Sequence, residues 1–245
     1  MSPRPACDIE ALADDAWLLR FGDRIDPELN VAVHAMAARL RALDPPWLRD
    51  VVPAYASLAV FFDATVDPAH VHDALLAQVD AYASGDDNQP LPAGGDSETP
   101  AGAIEIPVLY GGEHGPDLES SAAVLGLSPQ QLIERHAAVD YTVAMIGFAP
   151  GFPYLSGLDP SLALPRLATP RARVAAGSVA IGGAQTGIYP RESPGGWRVL
   201  GCTPWMLFDP RSEPPTRLQP GDRVRFVAID ADRFARIRAG QDALR

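Results

Sequence analysis

The chain has 245 residues, 47% of them hydrophobic, and carries a formal net charge of −11 at neutral pH. This length predicts two domains, because domains commonly contain about 100–150 residues. The negative charge argues against nucleic-acid binding, and no apolar run approaches the roughly 20 residues of a membrane-spanning helix. Since the opening residues, "MSPRPACDIE", also lack the pattern of a secretory signal, we expect a cytoplasmic protein.

The first 84 residues alternate predicted strands and helices. A strand over Asp15–Gly22 precedes a helix whose N-cap is Asp26, with Pro27 at the first helical position. Two strands, "LRDVVPAY" and "SLAVFFD", follow, and "DPAHVHDALLAQVDAYA" repeats the Asp-Pro helix start. This βαββα order predicts a small α+β sandwich with its helices on one face.

Residues 85–102 interrupt this pattern. The stretch "GDDNQPLPAGGDSETPAG" is rich in Pro and Gly, is acidic, and has no apolar periodicity. Such a composition is typical of a flexible linker. We therefore predict domains at 1–84 and 103–245.

The second domain begins with a strand, "AIEIPVLYGG", and two short helices. The second helix should start at Ser128, because Ser128 and Gln131 have the spacing of a capping box. Short strands punctuated by Gly and Pro follow, and the last of them, "DRVRFVAI", precedes a terminal helix. This pattern predicts a mainly-β domain, either a barrel or a sandwich.

The ionisable residues exclude several kinds of chemistry. All twenty basic residues are arginines, so neither a Schiff-base lysine nor a P-loop lysine is present. Any phosphate contact made by this chain must come from Arg or from backbone N–H groups. Cys7 and Cys202 are far apart and do not have metal-ligand spacing, so we predict no metal. From Gly151 to Ala228 nine Arg face five Asp or Glu, which gives this region a charge of +4.

The segment "GFAPGFPYL", Gly147–Leu155, combines Gly and Pro with three aromatic residues. Gly permits positive φ and Pro fixes φ, so together they specify one loop shape. The aromatic side chains either line a pocket or fill the core. The same two alternatives hold for Trp197, which follows two glycines in "PGGW".

Several long motifs resemble one protein family. They are "GFAPGFPYLSGL", "PRLATPRARV", "AGSVAIGGAQTGIYP" and "SPGGWRVLGCTPWMLFD", and the likeness extends to "FGDRIDPELN" and "IPVLYGGEHGPDL". The chain is similar to the B subunit of 5-oxoprolinase, to the Kip-type kinase inhibitors and to allophanate hydrolase subunit 1. The resemblance implies an N-terminal α+β domain followed by a cyclophilin-like β-barrel.

The resemblance also implies an activity. In its 5-oxoprolinase form the chain would act with a C-type carboxyltransferase homologue and a third subunit. Together they would use ATP to open 5-oxoproline to L-glutamate, and this chain would be inactive alone. The alternatives are a binding protein that inhibits a kinase and a component of a urea- or allophanate-degrading enzyme.

The candidate site residues lie in the second domain. Arg171 and Arg173 suit a carboxylate or phosphate, and Gln185 suits a lactam. We expect His136 to be cationic, because it ends a helix. The predicted catalytic residues are His136, Arg171 and Gln185, and the predicted substrate-binding residues are Phe152, Tyr154, Arg173, Thr186 and Trp197.

Overall fold

The structure, a computed structural model, describes residues 5–85 and 102–240. Spatial contacts divide the chain into two compact units, Met1–Thr99 and Pro100–Arg245. The predicted linker at 85–102 lies almost entirely outside the described residues, so its flexibility and the predicted domain limits stay predictions. None of the helices in the described residues is both long enough and apolar enough to cross a bilayer.

The first unit is a four-stranded antiparallel sheet with two helices. Its elements are β1 (Asp8–Ala13), β2 (Ala16–Arg20), α1 (Pro27–Leu43), β3 (Leu48–Pro53), β4 (Ser57–Phe62) and α2 (Pro68–Ala83). The strand order is β1-β2-β4-β3. The predicted order lacked β1. Almost all side chains of this edge strand are exposed, so the alternation of buried and exposed residues that identifies a strand is weak there.

Both predicted helix starts in this unit are confirmed. The Asp26 carboxylate accepts a hydrogen bond from the backbone N–H of Glu28, and the Asp67 carboxylate accepts one from Ala69. Each cap satisfies a donor that the first helical turn leaves without a partner. The helices pack on the sheet through a shared core that includes Val33, Met36, Leu40, Leu58, Val60, Val71 and Leu75.

The second unit contains a closed seven-stranded barrel, which confirms the barrel and excludes the sandwich. Its elements are β5 (Ile104–Tyr110), α3 (Leu118–Val124), α4 (Pro129–Ala137), β6 (Asp140–Ile146), β7 (Pro153–Ser156), β8 (Arg171–Val174), β9 (Ser178–Gly182), β10 (Gln185–Ile188), β11 (Ser193–Gly195), β12 (Arg198–Cys202), β13 (Arg223–Ala228) and α5 (Ala231–Arg238). The barrel order is β10-β7-β6-β13-β5-β12-β9, and β8 pairs with β11 in a separate two-stranded ribbon. Strand β13 lies between β5 and β6.

The pairing register decides which side chains face outward. Tyr154 lies opposite Gly187, Gly187 opposite Ala180, and Ala180 opposite Val199. Residues directly opposite each other share one face of a sheet. This row belongs to the outer face of the barrel, because the alternating positions Leu155, Val179, Ile181 and Ile188 lie in the main core.

The predicted capping box of α4 is also confirmed. The Ser128 hydroxyl accepts from the Gln131 backbone N–H at 3.2 Å, and the Gln131 side chain accepts from the Ser128 backbone N–H at 2.9 Å. The box fixes where α4 begins and therefore where the side chains of α4 enter the barrel core.

Replacing Ser128 by Ala should lower the free energy of unfolding by about 1 kcal/mol, because one N-terminal donor loses its acceptor. Urea denaturation followed by circular dichroism measures the change. Ser212→Ala is the matched control, since Ser212 is exposed. Equal unfolding free energies for both variants would show that the capping box contributes nothing to stability.

Candidate functional site

A second apolar cluster, separate from the barrel core, covers part of the outer face. We call it the outer-face cluster; it consists of Ala149, Phe152, Val174, Ala180, Tyr189, Trp197 and Val199, with Tyr154 packed against it. Its aromatic rings meet mainly edge to face, as in the Phe152–Trp197 pair at 5.7 Å and the Tyr154–Trp197 pair at 5.8 Å between ring centroids. Such edge-to-face contacts are favourable because the positive ring edge meets the negative ring face.

Trp197 lies against the barrel wall because two strand positions beneath it carry glycine. A Cβ atom on Gly182 would come within 2.6 Å of three atoms of the indole, and one on Gly187 would come within 3.2 Å of it. Trp197 is only 5% exposed. Of the two alternatives predicted for Trp197, the structure therefore favours a core anchor over a stacking wall.

The aromatic residues of the 147–155 loop differ in burial. Phe152 is buried in the outer-face cluster. Phe148, by contrast, is 63% exposed and has a φ of 66°, which is uncommon for a bulky residue. Its ring contacts Phe152 and Tyr189 edge to face. Gly151, with a φ of 76°, lets the loop approach Phe208, where a Cβ would be 2.8 Å away.

Two polar side chains lie against the Trp197 ring, and a third shares its face of the barrel. The Arg166 guanidinium lies over the ring at 5.8 Å from its centroid, and the Tyr154 and Trp197 rings meet edge to face. Gln185 lies opposite Gly182, which the indole covers, so Gln185 shares this outer face. The structure thus places the predicted residues Tyr154, Gln185 and Trp197 on one face of the barrel. Sequence reasoning missed Arg166, because only the fold places it beside Trp197.

Arg171 is held by a buried carboxylate. Its guanidinium donates two hydrogen bonds of 2.7 Å to Asp117, and Asp117 also accepts from the backbone N–H of Val199 at 2.7 Å. Hydrogen bonding to Asp117 raises the pKa of the Arg171 side chain. Arg171, predicted to bind a carboxylate or phosphate, thus pairs with a carboxylate of the chain itself, and this ion pair links the β8–β11 ribbon to β12. No motif in the sequence marked Asp117.

Arg173 is separate from this pair. Its side chain is exposed and lies 3.6 Å from Glu192, which is also exposed. Exposed ion pairs of this kind contribute little to stability because water and salt screen them. Arg173 therefore lies at the surface beside Glu192.

The expectation that His136 is cationic is wrong. His136 is fully buried and stacks on Phe226 at 4.7 Å, and burial lowers the pKa of its ring from 6.5 to about 3. The helix dipole favours a charge at this end, but desolvation opposes the charged form more strongly.

Hydrogen bonds fix the tautomer of the neutral His136 ring. The Thr186 hydroxyl donates its hydrogen to the Ala180 carbonyl oxygen at 3.0 Å. The hydroxyl oxygen therefore accepts a hydrogen bond from His136 Nε2–H, which lies 3.0 Å away. Nδ1 therefore accepts from the Tyr110 hydroxyl at 2.8 Å. Both His136 and Thr186 are 0% exposed. The geometry places these two residues in a satisfied core network, apart from Tyr154, Gln185 and Trp197.

Among residues 5–85 and 102–240, no three His, Cys, Asp or Glu side chains converge where they could hold a metal ion.

Residues 7–218 match the family described as carboxyltransferase domain, subdomain C and D. The chain is also 42% identical over 221 residues to the B subunit of 5-oxoprolinase from Bacillus subtilis (strain 168), a match that covers 90% of this chain and 92% of that protein. The fold and these matches define a carboxyltransferase-type domain pair. The chain belongs to the carboxyltransferase subdomain C and D family.

Solved structures share this fold. The crystal structure of TTHA0988 aligns with a TM-score of 0.72 and 39% identity, covering 88% of this chain. This chain spans 40% of the length of TTHA0988. The K. lactis urea amidolyase aligns with a TM-score of 0.73 over 98% of this chain and 16% of its own, but at 17% identity it supports the fold alone.

Replacing Arg171 by Ala should lower the free energy of unfolding by about 2–3 kcal/mol, because Asp117 would stay buried without its cation. Chemical denaturation measures the loss. Arg173→Ala, the control on the same strand, should change stability by no more than about 0.5 kcal/mol. If the two variants were equally stable, the Asp117 pair would not hold the ribbon.

His136 should make the protein less stable in acid. Between pH 6.5 and about 3 the unfolded chain binds a proton at His136 that the folded chain does not. The free energy of unfolding should therefore fall as pH falls, by up to about 1.4 kcal/mol per pH unit from this residue.

Denaturation from pH 7 to 5 tests this expectation in the wild type, His136→Gln and His70→Gln. His136→Gln should show a flatter dependence on pH than the wild type. His70 is exposed, so His70→Gln should keep the wild-type dependence. A wild-type slope in His136→Gln would contradict the neutral, buried histidine.

Proposed function

We propose that the chain is the B subunit of an ATP-dependent 5-oxoprolinase. The observation that carries the proposal is the 42% identity, over 90% of the chain, to the B subunit of a 5-oxoprolinase. In this reaction water cleaves the lactam C–N bond of 5-oxoproline, its oxygen joining the carbonyl carbon and its proton the nitrogen, to give L-glutamate. Hydrolysis of ATP to ADP and phosphate drives the step.

The proposed enzyme needs other subunits. We assign them as a C-type carboxyltransferase homologue and a third subunit, and we expect the assembly to work in the cytoplasm. ATP is assigned to the partners for two reasons. This chain has no lysine and no glycine-rich phosphate motif. Arg171, the cation that sequence reasoning chose for a transferring phosphoryl group, is instead committed to Asp117.

The geometry supports a revised contribution from this chain. Arg166 and Tyr154 lie against the Trp197 ring and Gln185 shares this outer barrel face, whereas His136 and Thr186 are buried and hydrogen-bonded to each other. We therefore propose that the chain binds and positions substrate through its outer face, while the bond-breaking groups lie mainly on the partners.

Reconstitution tests the proposed function. The chain should be purified alone, then with its co-purifying partners, and assayed for 5-oxoproline-dependent release of ADP and L-glutamate. We expect no turnover by the chain alone and turnover by the assembly.

Urea is the control substrate, because it reports the alternative urea-degrading role. Turnover of urea without turnover of 5-oxoproline would overturn the proposed function. ATP-dependent glutamate production by the chain alone would overturn the assignment of ATP and of the bond-breaking groups to the partners.

A further inference from the structure

Arg166 carries a positive charge that the described residues leave without a carboxylate partner. The two arginines that follow it, both on strand β8, do have carboxylate partners, since Arg171 pairs with Asp117 and Arg173 with Glu192. Arg166 is exposed and is held over the indole of Trp197 at 5.8 Å. A cation beside an aromatic face gains modest electrostatic energy and keeps its N–H donors available.

The Arg166 guanidinium lies near two tyrosine side chains, Tyr154 and Tyr189. Burial raises the pKa of Tyr154 and of Tyr189, and the nearby Arg166 charge partly opposes the increase at both. The Arg166 charge therefore lies near both tyrosines and beside the Trp197 ring.

Gln185 supplies a second, different polar group on the same face. It is half-buried, and within the described part of the chain its amide makes no side-chain hydrogen bond. Tyr154 and Gln185 lie on paired strands and share a face, with Gln185 two positions from the residue opposite Tyr154. Such diagonal neighbours are about 7 Å apart, a distance that one small molecule can span.

The two groups select a particular ligand chemistry. Guanidinium binds a carboxylate through two parallel N–H donors. A primary amide has both a donor and an acceptor, which match the C=O and N–H of another amide. The Tyr154 ring, held against Trp197, provides an apolar wall on the same face.

We infer that Arg166, Gln185 and Tyr154 form a binding site for a small cyclic amide that carries a carboxylate. Arg166 binds the carboxylate, Gln185 pairs with the lactam C=O and N–H, and the Tyr154 ring covers the apolar edge. Because the inference rests on the proposed function for the identity of the ligand, the ligand is 5-oxoproline. Trp197 is the positioning residue, since it holds Arg166 and Tyr154 in place.

Binding to the full chain tests the site directly. Isothermal titration should be run with 5-oxoproline and with 2-pyrrolidinone, which keeps the lactam ring and lacks the carboxylate. Arg166→Ala should weaken 5-oxoproline binding by roughly 10- to 100-fold, the worth of hydrogen bonds to a charged group, and leave 2-pyrrolidinone binding unchanged. Gln185→Ala should weaken both ligands.

Arg191→Ala is the matched control, because Arg191 is an exposed arginine in the connection between β10 and β11. It should bind both ligands like the wild type. Equal loss in Arg166→Ala and Arg191→Ala would overturn the site and reduce it to general charge attraction. Failure of the wild-type chain to bind 5-oxoproline at millimolar concentration would also overturn it.

The reconstituted assembly separates this inference from the proposed function. If the assembly turns over 5-oxoproline and Arg166→Ala raises KM with little change in kcat, the site is supported. An unchanged KM, or loss of partner binding in place of a KM effect, would overturn the site while the function stands. If the assembly shows no turnover but the chain still binds 5-oxoproline through Arg166, the function fails and the site stands.

Discussion

The contact between the Trp197 indole and Gly182 determines what the outer face of the barrel presents. Glycine is required at this position because any Cβ would overlap the ring. The indole then serves as a fixed surface on which Tyr154 packs and over which Arg166 lies. Side chains held in this way lose less conformational freedom when a ligand binds, so more of the interaction energy is available for affinity.

The buried Asp117 carboxylate connects the segments that surround the Trp197 ring. Asp117 accepts hydrogen bonds from Arg171 and from the backbone of Val199, two residues beyond Trp197. It therefore connects the β8–β11 ribbon, the start of α3 and the strand that follows the indole. Because Arg171 pairs with Asp117, it is not the cation that lies over the indole. That cation is Arg166.

Local signals predicted the parts of the fold that depend on neighbouring residues. Asp26 and Ser128 were recognised because a cap and its helix are adjacent in sequence. The spacing of turns and short strands predicted a barrel or a sandwich, and the family resemblance implied the barrel. Strand β1 was missed because an exposed edge strand has no buried face to produce a pattern.

The site was predictable only in part, because its contacts join distant segments. Gln185 and Thr186 are adjacent in sequence and were both predicted as site residues, yet the alternation of a strand places them on opposite faces of the barrel. Arg171 was predicted to bind a carboxylate or phosphate of the substrate, since nothing local indicates Asp117, 54 residues away. Arg166 was not chosen, because its relation to Trp197 exists only in the folded barrel.

Binding of a lactam carboxylate by the outer barrel face is the central claim. A two-dimensional ¹H–¹⁵N spectrum of the full chain, recorded during titration with 5-oxoproline, tests it most directly. We expect the largest shifts at the Gln185 side-chain amide, the Arg166 Nε–H and the Trp197 indole N–H. Shifts confined to residues of the first unit, or an unchanged spectrum at saturating ligand, would contradict it.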